Sequence, residues 1–129
     1  MVTHVWQGDV TVTTENDVRQ HCLLLAPRLG CALWRNNSGA FKNPRDQWVR
    51  FGLGNVSSRL NEVWKSADLI GIRDRDGRFL ALECKDPGWT GARLTQHERA
   101  QANFLADVAR RGGIAAFVTH PDQLRGLLC

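Results

Sequence analysis

Three residues in the second half of the chain have the types and spacing to do chemistry together: Asp68, Glu83 and Lys85. Side chains on a strand alternate faces, so Glu83 and Lys85 point one way while Leu82 and Cys84 point the other. Asp68 opens the strand-like run Asp68-Leu69-Ile70-Gly71-Ile72, and Glu83 and Lys85 close the run from Arg78 to Lys85. Between them, Asp74-Arg75-Asp76-Gly77 is a strong hairpin signal. An even loop centred between Arg75 and Asp76 sets Asp68 directly opposite Glu83, and directly opposed residues share a face. Two carboxylates that close repel unless a cation neutralises them. Such oxygen ligands suit Mg²⁺, with Mn²⁺ expected to substitute, because Mg²⁺ binds through one or two carboxylates and keeps waters for chemistry. An odd loop without a bulge separates the carboxylates and removes the site.

A Glu-x-Lys triplet alone says little, since it is equally the signature of a surface ion pair on an edge strand. The context carries the weight. Phe79-Leu80-Ala81-Leu82 is a continuous apolar run, the mark of a strand covered on both faces. Ionisable groups at the end of a buried strand are costly unless paired or metal-bound. Two helical residues point the same way. Glu15 precedes Cys22 by seven residues, nearly two turns, and so projects within about 20° of the apolar stripe. Gln101 stands in the same relation to Val108, with Phe104 beside it. Both polar groups need polar company on an inward face, although Glu15 also suits the first turn of a helix, where its charge favours the dipole.

The elements that must hold these residues read as α-β-β-β-α-β-α. Thr14 followed by Asp17 resembles a capping box, and Val18, Cys22, Leu25 and Leu29 recur at helical spacing before Gly30. Cys31 to Trp34 reads as a strand leading into Arg35-Asn36-Asn37-Ser38-Gly39. From Gly39 to Ser66 the pattern is poor and predicts a long loop with one helical turn near Leu60 to Trp64. Loops of that length tend to be functional. After the hairpin, Thr95 with Glu98 is a full capping box for a helix to about Arg111, stopped by Gly112-Gly113. Ile114 to Thr119 is a last strand, and Pro121 introduces a short last helix. Residues 1–13, with the β-prone Val10-Thr11-Val12, are an N-terminal arm, and residues 14–129 are a single domain.

A chain of 129 residues with 43% hydrophobic content can bury one core. The start of the chain lacks the layout of a signal peptide, and no apolar run approaches the roughly 20 residues that span a bilayer. The expectation is a cytoplasmic protein without a membrane segment. Cys22, Cys31, Cys84 and Cys129 show no short paired spacing, which argues against disulfides and zinc. The net charge is +4 and 14 of the 17 basic residues are arginine. That balance suits a polyanion such as DNA, while arginine bias is equally a trait of GC-rich genomes.

Taken together, several segments resemble the VRR-NUC domain (virus-type replication-repair nuclease), a branch of the PD-(D/E)XK nuclease superfamily. They are Glu15 on the first helix, Arg35 to Gly39, Ser66 to Ile72, Asp76 to Lys85, and the helix from Thr95 through Gln101 to Phe104, closed by Gly112-Gly113. The resemblance covers roughly Thr14 to Asp122. The chain departs from the family at Lys65-Ser66-Ala67, where glycine and serine are usual, and at Cys84, where a β-branched residue is usual. The resemblance implies an α/β, PD-(D/E)XK nuclease-like fold with a mixed four-stranded sheet flanked by helices. It implies a Mg²⁺-dependent endonuclease of phage or bacterial replication and repair, structure-selective for Holliday-junction or branched DNA, and active as a homodimer. Asp68, Glu83 and the Cys84 carbonyl would hold metal, with Glu15 as a further ligand through water. Lys85 would orient water or stabilise charge, and Gln101 would position either.

Arg35, Asn36, Asn37, Lys42, Arg45 and Arg50, joined by Arg93, are candidate DNA contacts that position without reading sequence. Trp48 and Trp89 are candidates for stacking on unpaired bases, with burial in the core the favoured reading for Trp48. The alternatives are a general nicking or restriction-type nuclease and a non-catalytic DNA-binding module of the same fold. Retention of Asp68, Glu83 and Lys85 together favours chemistry over binding alone.

Overall fold

The computed structural model describes residues 11–129. Most of the expected N-terminal arm lies outside the described residues, and residues 11–13 form neither helix nor strand. The elements are α1 (Glu15–Leu25), β1 (Cys31–Arg35), β2 (Gly39–Lys42), β3 (Trp48–Phe51), α2 (Ser58–Val63), β4 (Leu69–Arg73), β5 (Phe79–Cys84), α3 (Gln96–Arg110), β6 (Ile114–Val118) and α4 (Gln123–Leu128). Four strands form one mixed sheet in the order β1-β4-β5-β6, antiparallel except for the parallel pair β5–β6. The chain is thus a small mixed α/β domain, as expected. No helix among the described residues is long and apolar enough to cross a membrane. All four cysteines are free, and three of them are buried.

The sheet is filled from both sides. Leu69, Leu80, Leu82, Cys84 and Val118 pack against Val18, Cys22 and Leu25 of α1 and Leu124 and Leu128 of α4. On the opposite face Ala81 packs against Phe104, Leu105 and Val108 of α3. This is why β5 reads as an unbroken apolar run: its even and odd positions both meet helices. Each fully buried leucine contributes about 1.5–3 kcal/mol over leaving it in water. Gly71, in the middle of β4, is required by packing, because a Cβ there would stand 1.9 Å from the Ala32 carbonyl oxygen of β1.

Both capping boxes form. The Thr14 side chain accepts from the Asp17 amide and the Thr95 side chain from the Glu98 amide, with the reciprocal bonds present. α1 is shorter than the periodicity predicts. Pro27 cannot continue the α-helical ladder, so residues Ala26–Leu29 tighten into a 3-10 turn before the left-handed Gly30.

The long loop expected from Gly39 to Ser66 is instead structured. It holds a separate two-stranded antiparallel ribbon, β2–β3, and the two-turn helix α2, which replaces the single turn expected near Leu60. Ribbon strands of four residues hold only two periods of alternation, and both ribbon faces carry aromatic residues, so no one-sided pattern marks them. Asn55 fastens the ribbon. It is buried, donates its amide to the Gly39 and Phe51 carbonyls at 2.7 and 2.9 Å, and accepts from Arg50 Nε at 3.2 Å.

Candidate active site

The hairpin register decides whether a site exists. Leu69 opposes Leu82 and Ile72 opposes Phe79, and Arg73 donates its backbone N–H to the Arg78 carbonyl at 2.9 Å. The loop is therefore the four residues Asp74 to Gly77, an even number, with Gly77 taking the positive φ of 72° that turns the chain. Arg73 locks this turn by a two-point contact with Asp76, at 3.1 and 2.7 Å, which draws the Asp76 carboxyl down to about 2. Continuing the register by one residue sets Asp68 opposite Glu83, as the sequence predicts.

At that point the two carboxyls meet. The Asp68 amide donates to Glu83 Oε1 at 3.2 Å, the Cys84 amide donates to Asp68 Oδ2 at 3.1 Å, and the side chains are hydrogen-bonded to each other. Glu83 is 3% exposed. Burial first, and then the charge of Asp68 and their shared hydrogen bond, push its carboxyl up to about 9. Two carboxyls this close repel when both are charged, and a bound cation would relieve that repulsion.

Lys85 lies on the same face and is 8% exposed. Its Nζ donates to Gln101 Oε1 at 2.8 Å, stands 3.7 Å from Glu98 Oε2, and sits 5.9 Å from the ring centres of Trp89 and Phe117. A buried ammonium demands such company. Gln101 reaches it because α3 packs over β5 and β6. With its oxygen facing Lys85, its amide nitrogen lies 3.2 Å from His97 Nε2, one turn earlier on α3.

Glu15 is brought to the same end of β5 by Asp86, whose Oδ1 accepts the Glu15 backbone N–H at 2.8 Å and so ties the first turn of α1 to the residue after Lys85. The Glu15 carboxyl is raised by burial and by the charge of Asp68, which registers its proximity to the pair. Arg19 stands 3.7 Å from Glu15 Oε2, and its buried Nη1 makes no hydrogen bond among the described residues, so it acts on Glu15 through charge.

The carboxyl pair forms the floor of a polar cleft of about 380 Å³, whose walls include Asn37, Arg50, Lys65, His97 and Gln101. Among the described residues no three His, Cys, Asp or Glu side chains are grouped to hold a metal ion. The donors that converge are the Asp68 and Glu83 carboxyls. The Cys84 N–H points at Asp68, and the carbonyl of a strand residue leaves along the same edge as its N–H. A partial ligand shell of that kind fits Mg²⁺, which takes oxygen ligands and retains several waters, and it holds none of the histidine or cysteine ligands that zinc sites usually include.

The expected DNA contacts divide. Arg50 and Asn37 line the cleft. Lys42 and Arg45 lie on the ribbon and its turn, and Arg35 ends β1, all exposed. Asn36 also lines the cleft, and its amide hydrogens go to Ser66 Oγ and the Ala67 carbonyl while its backbone N–H goes to the Asp68 carbonyl at 2.7 Å. It therefore aims Asp68. Arg93 is exposed and stands apart from the cleft lining.

The two tryptophans differ in burial. Trp89 is partly buried, donates its ring N–H to Glu98 at 2.9 Å and packs on Phe117 at 4.7 Å, and so walls in Lys85. Trp48 is 65% exposed, not anchored in the core. Sequence reasoning missed Asp86, Lys65 and His97. His97 had a signal, since it lies four residues before Gln101 and shares its helical face. Asp86 had none, because its partner is 71 residues away. Comparison with protein families, with curated proteins and with solved structures finds no match.

Proposed function

We propose that the chain is a Mg²⁺-dependent DNA endonuclease of the PD-(D/E)XK type, in its VRR-NUC branch, that hydrolyses phosphodiester bonds in branched DNA. The observation that carries this reading is the contact between the Asp68 and Glu83 carboxyls beside buried Lys85, on the floor of a cleft walled by cationic side chains. Asp68, Glu83 and the Cys84 carbonyl would hold the cation, with Glu15 reaching it through water. Bound there, the cation would acidify water and neutralise charge on the attacked phosphate.

The chain's own groups supply the rest. Lys85, fixed by Gln101, faces the same edge and offsets the negative charge that develops on the phosphate. Water oxygen bonds to phosphorus, the bond from phosphorus to the 3′-oxygen breaks, and that oxygen takes a proton, leaving a 5′-phosphate and a 3′-hydroxyl. Arg50 and Lys65 on the cleft walls grip flanking phosphates. The reading includes a homodimer. The sheet face beside α3 leaves Trp34, Ile72 and Phe79 exposed, which is apolar surface suited to a second copy.

Cleavage of duplex, flap and four-way-junction DNA with Mg²⁺, Mn²⁺ or EDTA tests the proposal. Metal-dependent cleavage of branched substrates, lost in Glu83→Gln, is expected. Intact DNA binding without cleavage under any condition leaves a binding module. Equal cleavage of all substrates leaves a general nicking or restriction-type nuclease. A monomeric mass in solution alongside full junction cleavage removes the dimer.

A further inference from the structure

The β2–β3 ribbon presents one face to the carboxylate cleft. In its register Ala40 opposes Arg50 and Lys42 opposes Trp48. These four side chains share a face, because residues two apart on a strand and residues directly opposed across it point the same way. Ala40 and Arg50 line the cleft that holds Asp68 and Glu83, so Trp48 stands on the cleft side of the ribbon, two residues beyond Arg50. The other face, with Phe41 and Phe51 in ring contact, points elsewhere.

Trp48 is 65% exposed, and Lys42 Nζ backs its ring at 5.5 Å from the centroid, itself held by Asp46 at 3.2 Å. Between Trp48 and Arg50 lies a second pocket of about 550 Å³, bounded also by Ala40 and Ser58. The small side chain of Ala40 leaves this space open. An indole beside a guanidinium, with a gap between them, suits a flat aromatic ring whose attached phosphate meets the arginine.

We propose that Trp48 and this pocket form a subsite that stacks one unpaired nucleobase, and that the substrate class is DNA with an unpaired nucleotide next to the cleaved phosphate. The proposal rests on the nuclease reading and specifies its substrate. Two residues of strand span about 7 Å, about the separation of neighbouring phosphates on an extended unpaired strand, so the stacked base lies next to the phosphate at Arg50. A paired base is stacked on its neighbours and offers no free face, so a continuous duplex leaves the subsite empty. Branch selectivity would then arise at Trp48, apart from the carboxylates.

The test uses DNA carrying 2-aminopurine at successive positions from a flap junction, bound by the Glu83→Gln protein without metal. Quenching at the unpaired position next to the junction, and none at paired positions, is expected. Trp48→Ala should abolish the quench and weaken flap binding about tenfold, against less than about twofold for blunt duplex, and Trp48→Phe should restore most of the loss. An unchanged thermal melt checks the fold of both variants. Equal losses on flap and duplex, or failure of phenylalanine to rescue, would overturn the stacking role. So would a change in oligomeric mass on Trp48→Ala. Quenching by a wild-type protein that cleaves nothing with Mg²⁺ or Mn²⁺ would sink the nuclease reading and leave the subsite. Cleavage with no quench would do the reverse.

Discussion

The end of the four-stranded sheet and the β2–β3 ribbon border one cleft and are built in opposite ways. At the sheet end Glu83, Lys85 and Gln101 are each less than a tenth exposed, and each is hydrogen-bonded to a side chain or amide from another segment of the chain. On the ribbon Trp48, Phe41 and Phe51 are about half exposed or more, and Asn55 supplies the buried polar anchor. Groups that must sit within a fraction of an ångström of a reacting atom belong on packed strands and helices. Groups that must accommodate a variable ligand belong on a surface element free to adjust. On the proposed nuclease reading, bond breaking would belong to the first region and substrate choice to the second.

The largest effect belongs to the sheet end. Glu83→Gln should lower kcat at least about 100-fold while leaving DNA affinity within a few-fold, because it removes a carboxylate donor and keeps the shape. The same residue gives the metal-free protein a pH signature. Its folded carboxyl, near 9, lies above its unfolded value near 4.5, so the folded state binds the proton more tightly. That contribution to stability is fully present below about pH 4.5 and is lost as pH rises toward 9. Thermal melts in EDTA should show Tm falling across this window, with a flatter profile for Glu83→Gln and with Mg²⁺ restoring Tm most at the alkaline end. A wild-type profile as flat as the variant's would break the picture of a carboxyl pair awaiting a cation.

Next comes Gln101→Leu, which removes the 2.8 Å acceptor of Lys85 and leaves Glu98 at 3.7 Å. A hydrogen bond to a buried charge contributes about 1.5–3 kcal/mol, so kcat should fall roughly tenfold or more with KM little changed. If KM rises instead, the amide contacts substrate and does not position the lysine.

The two regions also differ in how far the sequence discloses them. The carboxylate pair was legible because a four-residue turn and a period of two fix the register, and Asp74-Arg75-Asp76-Gly77 announces the turn. The capping boxes at Thr14 and Thr95 were legible for a similar reason, since every partner lies within four residues. Glu15 and Gln101 followed from a period of 3.6. The ribbon was not legible: its strands are four residues long and aromatic on both faces, and Asn55 anchors it to Gly39, 16 residues away. The bonds of Asn36 to Ser66 and Ala67 had no local signal, because those partners lie 30 and 31 residues on. Reading Trp48 as buried followed the general tendency of tryptophan, which a ribbon projecting beside a cleft overrides.

Asn55→Ala should separate the regions directly. It leaves the Gly39 and Phe51 carbonyls without their donor and should destabilise the ribbon by about 1–3 kcal/mol. Hydrogen exchange at Ala40 to Lys42 and Trp48 to Phe51 should then speed up about 10-fold, while amides of β5 keep their protection. Loss of protection across β5 would mean that ribbon and sheet unfold as one unit and that the division of labour has no structural basis.

The smallest effects test whether position or charge alone governs DNA affinity. Arg50→Ala, in the cleft wall, should weaken binding several-fold and reduce the salt slope by about one. Arg93→Ala removes the same formal charge from an exposed residue apart from the cleft lining, where screening at about 0.15 M salt acts within some 8 Å. It should change affinity less than about twofold. Equal losses from both arginines would mean that the protein holds DNA through its net charge of +4 and not through the cleft. The ribbon would then have no privileged place in substrate choice, and the contrast between the two regions would reduce to one of burial.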